Sequence, residues 1–198
     1  MTTVERPSVV LPADWVPGPR QGYWTYDDYA ALPDDGQRYE IVNGVLLMAP
    51  TPTPDHQSIA IRIAYYLFPH VDLAGIGKLF TAPIDVELAP KDIFQPDLVV
   101  VLNEHLKRVT TKKIIGAPDL VIEVASPSTQ TYDRLTKYEK YAHAGISEYW
   151  IVKPVPHTVE ILVLESGEYH SLDILHGQQT LPSRVIPGLP VEVEKFFV

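Results

Sequence analysis

The stretch Pro118-Asp119-Leu120-Val121-Ile122-Glu123-Val124-Ala125-Ser126-Pro127-Ser128 constrains the fold more than any other part of the chain. Side chains alternate along a strand, so Leu120, Ile122 and Val124 face one way and Val121, Glu123 and Ala125 the other. Both faces are apolar except at Glu123, which is the pattern of a strand in a sheet covered on both sides. An unpaired carboxylate in such a place is costly, so Glu123 needs a cation, a hydrogen-bonded partner or a raised pKa.

The chain of 198 residues is long enough for one domain with a terminal extension. A hydrophobic share of 45% and a mean hydropathy of -0.01 fit a soluble globular core. No apolar run is long enough to cross a bilayer, and the first residues lack the pattern of a secretory signal, so a cytoplasmic location is expected. Absence of cysteine excludes disulfides and thiolate metal sites. A net charge of -9 argues against loose coating of nucleic acid, although a local basic groove remains compatible with it.

Residues 1–24 carry Pro7, Pro12, Pro17 and Pro19 and read as an extended arm, disordered or packed on a partner subunit. The remainder, residues 25–198, reads as one domain. Thr25 caps a short helix through Leu32. Arg38 to Met48 is a hairpin around Asn43-Gly44, a type I′ turn pair. A helix from about Asp55 runs to Pro69, with Ile59, Ile63, Tyr66 and Leu67 at helical spacing. Strands are expected at 79–83, 84–88 and 94–102, the last opened by Gln95-Pro96-Asp97. Residues 103–117 read as a loop or ragged helix. Tyr132 to Ala144 is a helix with its apolar stripe along Leu135, Tyr138 and Ala142, ended by Gly145. A strand at 147–152 and a hairpin around Ser166-Gly167 precede an irregular tail. This order gives an α/β or α+β fold with a mixed central β-sheet.

If the strands holding Asp97 and Glu123 are neighbours, the two acids meet at one end of the sheet. Carboxylate oxygens suit Mg²⁺ or Mn²⁺, and such an ion activates water and stabilises phosphoryl charge. Each acid also has a bland reading, Asp97 as a turn cap and Glu123 as half of an internal ion pair. Glu40 reads as a polar residue near Arg38, and His56 either as a capping or packing residue or as a contact to a phosphate or a metal-bound water. Lys107, Arg108, Lys112 and Lys113 form a local cationic cluster that either tracks a nucleic-acid backbone or is a solvated loop.

Several blocks in order resemble the Uma-type family of the PD-(D/E)XK nuclease superfamily. They are Tyr39 to Gly44, Pro54-Asp55-His56, Gln95-Pro96-Asp97-Leu98, Ala117 to Val124 with Ser126 to Thr129, then Asp133, Lys137, Tyr141 and Gly145, Glu148 to Val152, and Pro187-Gly188-Leu189. The resemblance implies a restriction-endonuclease-like fold with a mixed central sheet flanked by helices, and a Mg²⁺-dependent endonuclease acting on DNA, working as a homodimer. It implies metal at Asp97 and Glu123, assisted by Glu40 and by the Val124 carbonyl. Ala125 departs from the superfamily pattern, which has lysine there. The family places that lysine on the following helix, at Lys137, with Lys140 as the alternative; helical geometry alone makes Lys137 half of an exposed pair with Asp133. A nuclease-like fold that binds nucleic acid or protein without cutting, and a hydrolase of RNA or a small nucleotide, fit the same residues.

Overall fold

The computed structural model describes residues 10–126 and 132–198. The first nine residues of the arm and Pro127-Ser128-Thr129 of the family block lie outside them, as does the side chain of Asp133.

Two six-stranded sheets make up the fold, where the sequence suggests one. The first runs β1 (Leu11–Pro12), β3 (Val45–Ala49), β2 (Arg38–Val42), β6 (Asp92–Phe94), β5 (Val86–Ala89), β8 (Ile114–Ile115). The second runs β12 (Glu168–His176), β11 (Thr158–Glu165), β10 (Glu148–Lys153), β9 (Leu120–Val124), β7 (Leu98–Leu102), β4 (Gly77–Thr81). It is mixed: β9 and β10 pair in parallel and its other pairs are antiparallel. The strand pattern at 120–125 is realised as expected. Leu120, Ile122 and Val124 join Leu98, Val100 and Trp150 in a core under helix α2 (Pro54–Phe68), which contributes Ile59, Ile63 and Leu67. Val121 and Ala125 join Val99, Val101, Tyr149 and Ile151 on the other face, under helix α3 (Tyr138–Ala144) and strands of the first sheet.

The expected strand 94–102 is two strands in different sheets. β6 ends at Phe94, and Gln95-Pro96-Asp97 carries the chain across to β7. Pro96 supplies no ladder N–H and holds its predecessor away from regular pairing, so the apolar run cannot stay in one sheet. The strands expected at 79–83 and 84–88 end instead at Thr81 and begin at Val86, on either side of Pro83. Residues 103–108 form a 3₁₀ turn.

The described part of the arm packs on its own chain. Leu11–Pro12 pairs with Met48 and Leu47 at the sheet edge, where a proline is tolerated. Ala13 and Trp24 are buried, and the Gly44 carbonyl accepts from Gly22 and Trp24. Asn43 and Gly44 both have positive φ, 52° and 74°, as the I′ turn requires. A Cβ at Gly44 would lie 2.5 Å from the Gly22 oxygen, so this turn also admits the arm.

α1 (Tyr26–Ala30) has the expected cap, with Thr25 and Asp28 closing a capping box. The helix expected at 132–144 opens instead with a π turn, Asp133–Lys137, before α3. The wider turn resets the helical phase. Leu135 is left 60% exposed and Lys137 turns inward, while Tyr141 rather than Leu135 fills the core. Gly145 closes α3 at φ 87°. Glu148, fully buried on β10, accepts from Trp150 Nε1 at 2.6 Å and from the Arg184 amide at 2.7 Å, which fastens the tail to the sheet.

Candidate active site

Three carboxylates reach one end of the second sheet from three strands or their edges. Glu123 lies on β9, Asp97 immediately before β7 and Glu40 on β2. Leu98 pairs with Ile122, so Asp97 stands in line with Glu123 across the two strands. All three side chains are buried, as is Lys137. The Lys137 Nζ lies 2.9 Å from Glu123 Oε1 and 3.2 Å from Glu40 Oε1. Lys137 is thus bound to both acids from the start of the helix, and the exposed position expected from helical geometry is not what the π turn produces. Lys140 instead pairs with Asp92, at 2.8 Å, and with Asn43 at the hairpin tip.

Hydrogen bonds fix each carboxylate. Tyr141 donates to Glu123 Oε1 at 2.8 Å. Tyr132 donates to Glu40 Oε2 at 3.0 Å, and the Gln95 amide to Glu40 Oε1 at 3.0 Å. Burial and then the charge of Glu40 push the Tyr132 phenol well above its usual range; burial and then Glu123 do the same to Tyr141. Both therefore stay protonated and act as donors. Asp97 Oδ2 accepts from the Val124 amide at 2.8 Å and from His56 Nε2 at 3.0 Å. Burial alone would raise the Asp97 carboxyl, but the His56 ring, the Val124 N–H and Lys137 outweigh it and hold the group below the ordinary aspartate value. An amide and a carbonyl of one residue leave a strand on the same edge, so the Val124 carbonyl also leaves β9 on the Asp97 side.

His56, in the first turn of α2, has its Nδ1 buried with no hydrogen-bond partner among the described residues. Buried polar atoms are normally satisfied, and this ring nitrogen stands unsatisfied beside a buried carboxylate. The donor set, three carboxylates and a strand carbonyl, is all oxygen, which suits a hard divalent cation such as Mg²⁺ or Mn²⁺.

Sequence reasoning missed the support behind these acids. Gln95 read only as a strand opener, yet its side chain donates to Asp85 at 2.9 Å and to Tyr29, and accepts from Arg38 at 3.2 Å. Gln-Pro-Asp between two apolar runs was the available signal. Burial raises the Asp85 carboxyl, and hydrogen bonds from Gln95 and Tyr29 offset it only in part. A raised folded pKa means that Asp85 favours folding at low pH, and that this contribution is lost as pH rises through the folded value. Asp85→Asn removes that loss. The melting temperature of the variant, relative to wild type, is expected to climb as pH rises above about 4, the ordinary aspartate value; a gap independent of pH in thermal melts would overturn this account.

The cationic cluster lies elsewhere. Lys107 and Arg108 follow the far end of β7, about 16 Å from Asp97 at 3.3 Å per strand residue. Arg108 donates to the Ala117 carbonyl, and Lys113 pairs with Glu87 and sits over the Tyr26 ring. Lys107 and Lys112 are exposed. At that same far end, Glu104, His105 and Asp119 bring one potential ligand atom each within 4.8 Å of one another. Asp119 is already engaged, by His105 Nδ1 at 2.7 Å and by the Leu102 amide at 2.8 Å.

A mixed sheet covered by helices, with acids at the ends of neighbouring central strands, is the arrangement of a restriction-endonuclease-like fold. A crystal structure from Anabaena variabilis ATCC 29413, described as "a putative nuclease belonging to DUF820", shares this fold with a TM-score of 0.73 at 19% identity, over 87% of this chain and 97% of that one. The chain belongs to the Uma2 family, described as "Putative restriction endonuclease", whose model matches residues 26–194. An uncharacterized protein of Synechocystis sp. is 29% identical over 110 residues, 55% of this chain. The match spans about half the length of that relative, 52%. Family and fold together support a nuclease. Among the described residues, no helix is long and apolar enough to cross a membrane.

Proposed function

We propose that this protein is a Mg²⁺- or Mn²⁺-dependent endonuclease that hydrolyses phosphodiester bonds in DNA. The observation that carries the reading is the buried Lys137 bound to both Glu40 and Glu123, next to an Asp97 carboxyl that its charge helps to hold low. Asp97, Glu123 and the Val124 carbonyl would hold the ion, with Glu40 completing its surroundings. When bound, the ion supplies an activated water and stabilises charge on a phosphoryl oxygen. The chain's own groups do the rest. Lys137 donates hydrogen bonds to the carboxylates, and its charge would offset charge gathering on the phosphate. His56 holds the Asp97 carboxylate in one orientation, and Tyr132 and Tyr141 do so for Glu40 and Glu123. In the net reaction one P–O ester bond breaks, the water's hydroxyl stays on phosphorus and its proton ends on the leaving oxygen.

The proposal includes a cytoplasmic homodimer as the working form. Its test is cleavage of plasmid and oligonucleotide DNA with Mg²⁺, with Mn²⁺ and with chelator. Cleavage that needs the ion is the expected result; no cleavage under any of these conditions sinks the reading. A second reading, a fold that binds nucleic acid without cutting, draws on Ala125 and on the contact of Lys137 with both Glu40 and Glu123. Calorimetric titration with Mg²⁺ separates the two, because the binding-only reading expects no heat of ion binding.

A further inference from the structure

A cleft of about 490 Å³ opens beside the carboxylates, with Asp97 and His56 in its wall. Arg38, Thr51, Gln57 and Ile61 also line it, whereas Glu40, Glu123 and Lys137 do not. The acid cluster thus borders this cleft through Asp97. The volume lies in the range of pockets that take one small ligand. A base pair locked in a helix cannot enter such a space, but a single unpaired nucleotide can.

Charge points the same way. Duplex binding draws its affinity from many phosphate contacts, and the chain carries a net -9. Its local basic cluster is at the far end of β7, with Arg108 and Lys113 committed to contacts of their own. The cationic side chain lining the cleft is Arg38, held in place by Gln95. That is a grip for one phosphate rather than for a backbone track. From Ile61 at the rim, α2 continues with Tyr65 and Phe68, spaced i, i+4 and i+7 along one face. They are 69%, 72% and 45% exposed. Tyr66 fixes the Tyr65 ring edge-to-face at 5.1 Å between centroids. Aromatic faces of this kind stack on unpaired bases, which a closed duplex does not present.

We propose that the cleft receives one unpaired nucleotide, with its phosphate at the Asp97–His56 wall and the strand leaving over Tyr65 and Phe68, so that single-stranded or locally unpaired DNA is the preferred substrate. This rests on the nuclease reading above and adds the substrate class to it. The unpaired nucleotide comes either from a free strand or from a base turned out of a duplex, a step that costs least at a bulge or mismatch.

The test uses the full chain and three probes: a short fluorescein-labelled strand of mixed sequence, its perfect duplex, and that duplex with a small bulge. Anisotropy without divalent ion reads binding, and gels with Mg²⁺ or Mn²⁺ read cleavage. The strand and the bulged duplex are expected to bind about tenfold or more tightly than the perfect duplex, as loss or gain of one stacked base implies. Thr51→Trp, which fills the cleft from an exposed loop, and Tyr65→Ala are each expected to weaken strand binding by about tenfold. Circular dichroism melts unchanged from wild type exclude a folding defect. Preference for the bulged duplex over the free strand assigns the nucleotide to base turning; the reverse assigns it to free strands. Equal or tighter binding of the perfect duplex overturns the proposal, as does indifference to Thr51→Trp. Strand-selective binding without cleavage of any probe leaves the cleft assignment standing and removes the nuclease reading. If Tyr65→Ala instead splits a wild-type dimer in sedimentation and leaves strand affinity unchanged, a second copy covers the α2 face and the stacking path is wrong.

Discussion

Asp97→Asn is expected to slow metal-dependent phosphodiester cleavage about a thousandfold, the equivalent of several kcal/mol of lost charge stabilisation. The substitution is chosen for what it keeps. Asparagine retains a carbonyl oxygen to accept from the Val124 amide, so the strand end stays in place. It removes only the negative charge that His56 and Val124 together stabilise in a buried position. Calorimetric titration with Mn²⁺ should show ion affinity falling alongside the rate. Rates within threefold of wild type would mean that Asp97 serves the fold alone, and the site assignment would have to be abandoned.

Lys137→Met is expected to cost about 3–5 kcal/mol of folding stability, because removing one partner of a buried ion pair strands the remaining charge. Here two acids are stranded, Glu40 and Glu123, both nearly inaccessible to solvent. Urea unfolding followed by tryptophan fluorescence reads the loss. The double variant Lys137→Met with Glu123→Gln should recover a large part of it, since one of the stranded charges is gone. Lys140→Met provides the comparison. Its ion pair with Asp92 sits at the partly exposed hairpin tip, where such pairs contribute about 0–1 kcal/mol. Equal losses in the two single variants would show that the burial of Lys137 does not matter energetically.

Asp97 faces the cleft, and Lys137 lies behind it with Glu40 and Glu123. The Asp97 carboxylate is oriented by a histidine and an amide, over a deeper layer in which tyrosine hydroxyls and an ammonium hold the other acids. Such support is what keeps site geometry within the narrow tolerance that catalysis needs.

Alternation around Glu123, with apolar side chains on both faces, is enough to demand a covered sheet and a partner for the acid. The I′ turn at Asn43-Gly44, the Thr25 cap and the Gly145 stop follow from local conformational preferences, and each appears where expected. These features are decided within a few residues, so a sequence carries them whole. The division of residues 94–102 between two sheets was less legible. Pro96 marks the break, but nothing local says that the chain leaves one sheet for another. The apolar stripe expected through Leu135 was wrong for a related reason: after the π turn Lys137 points inward to two acids that belong to distant strands.

The sequence by itself determined that this chain builds a sheet buried on both faces, that one acid lies inside it, and to which family its ordered blocks belong. Only the tertiary structure decided that Glu40, Asp97, Glu123, His56 and Lys137 meet, that Lys137 and not Lys140 is the lysine among them, and that Gln95 and the two tyrosines hold them. The physical reason is range. Strand alternation and turn chemistry act between neighbours, whereas an ion pair between Lys137 and Glu40 depends on how two sheets and a helix stack, and no spacing along the chain records that.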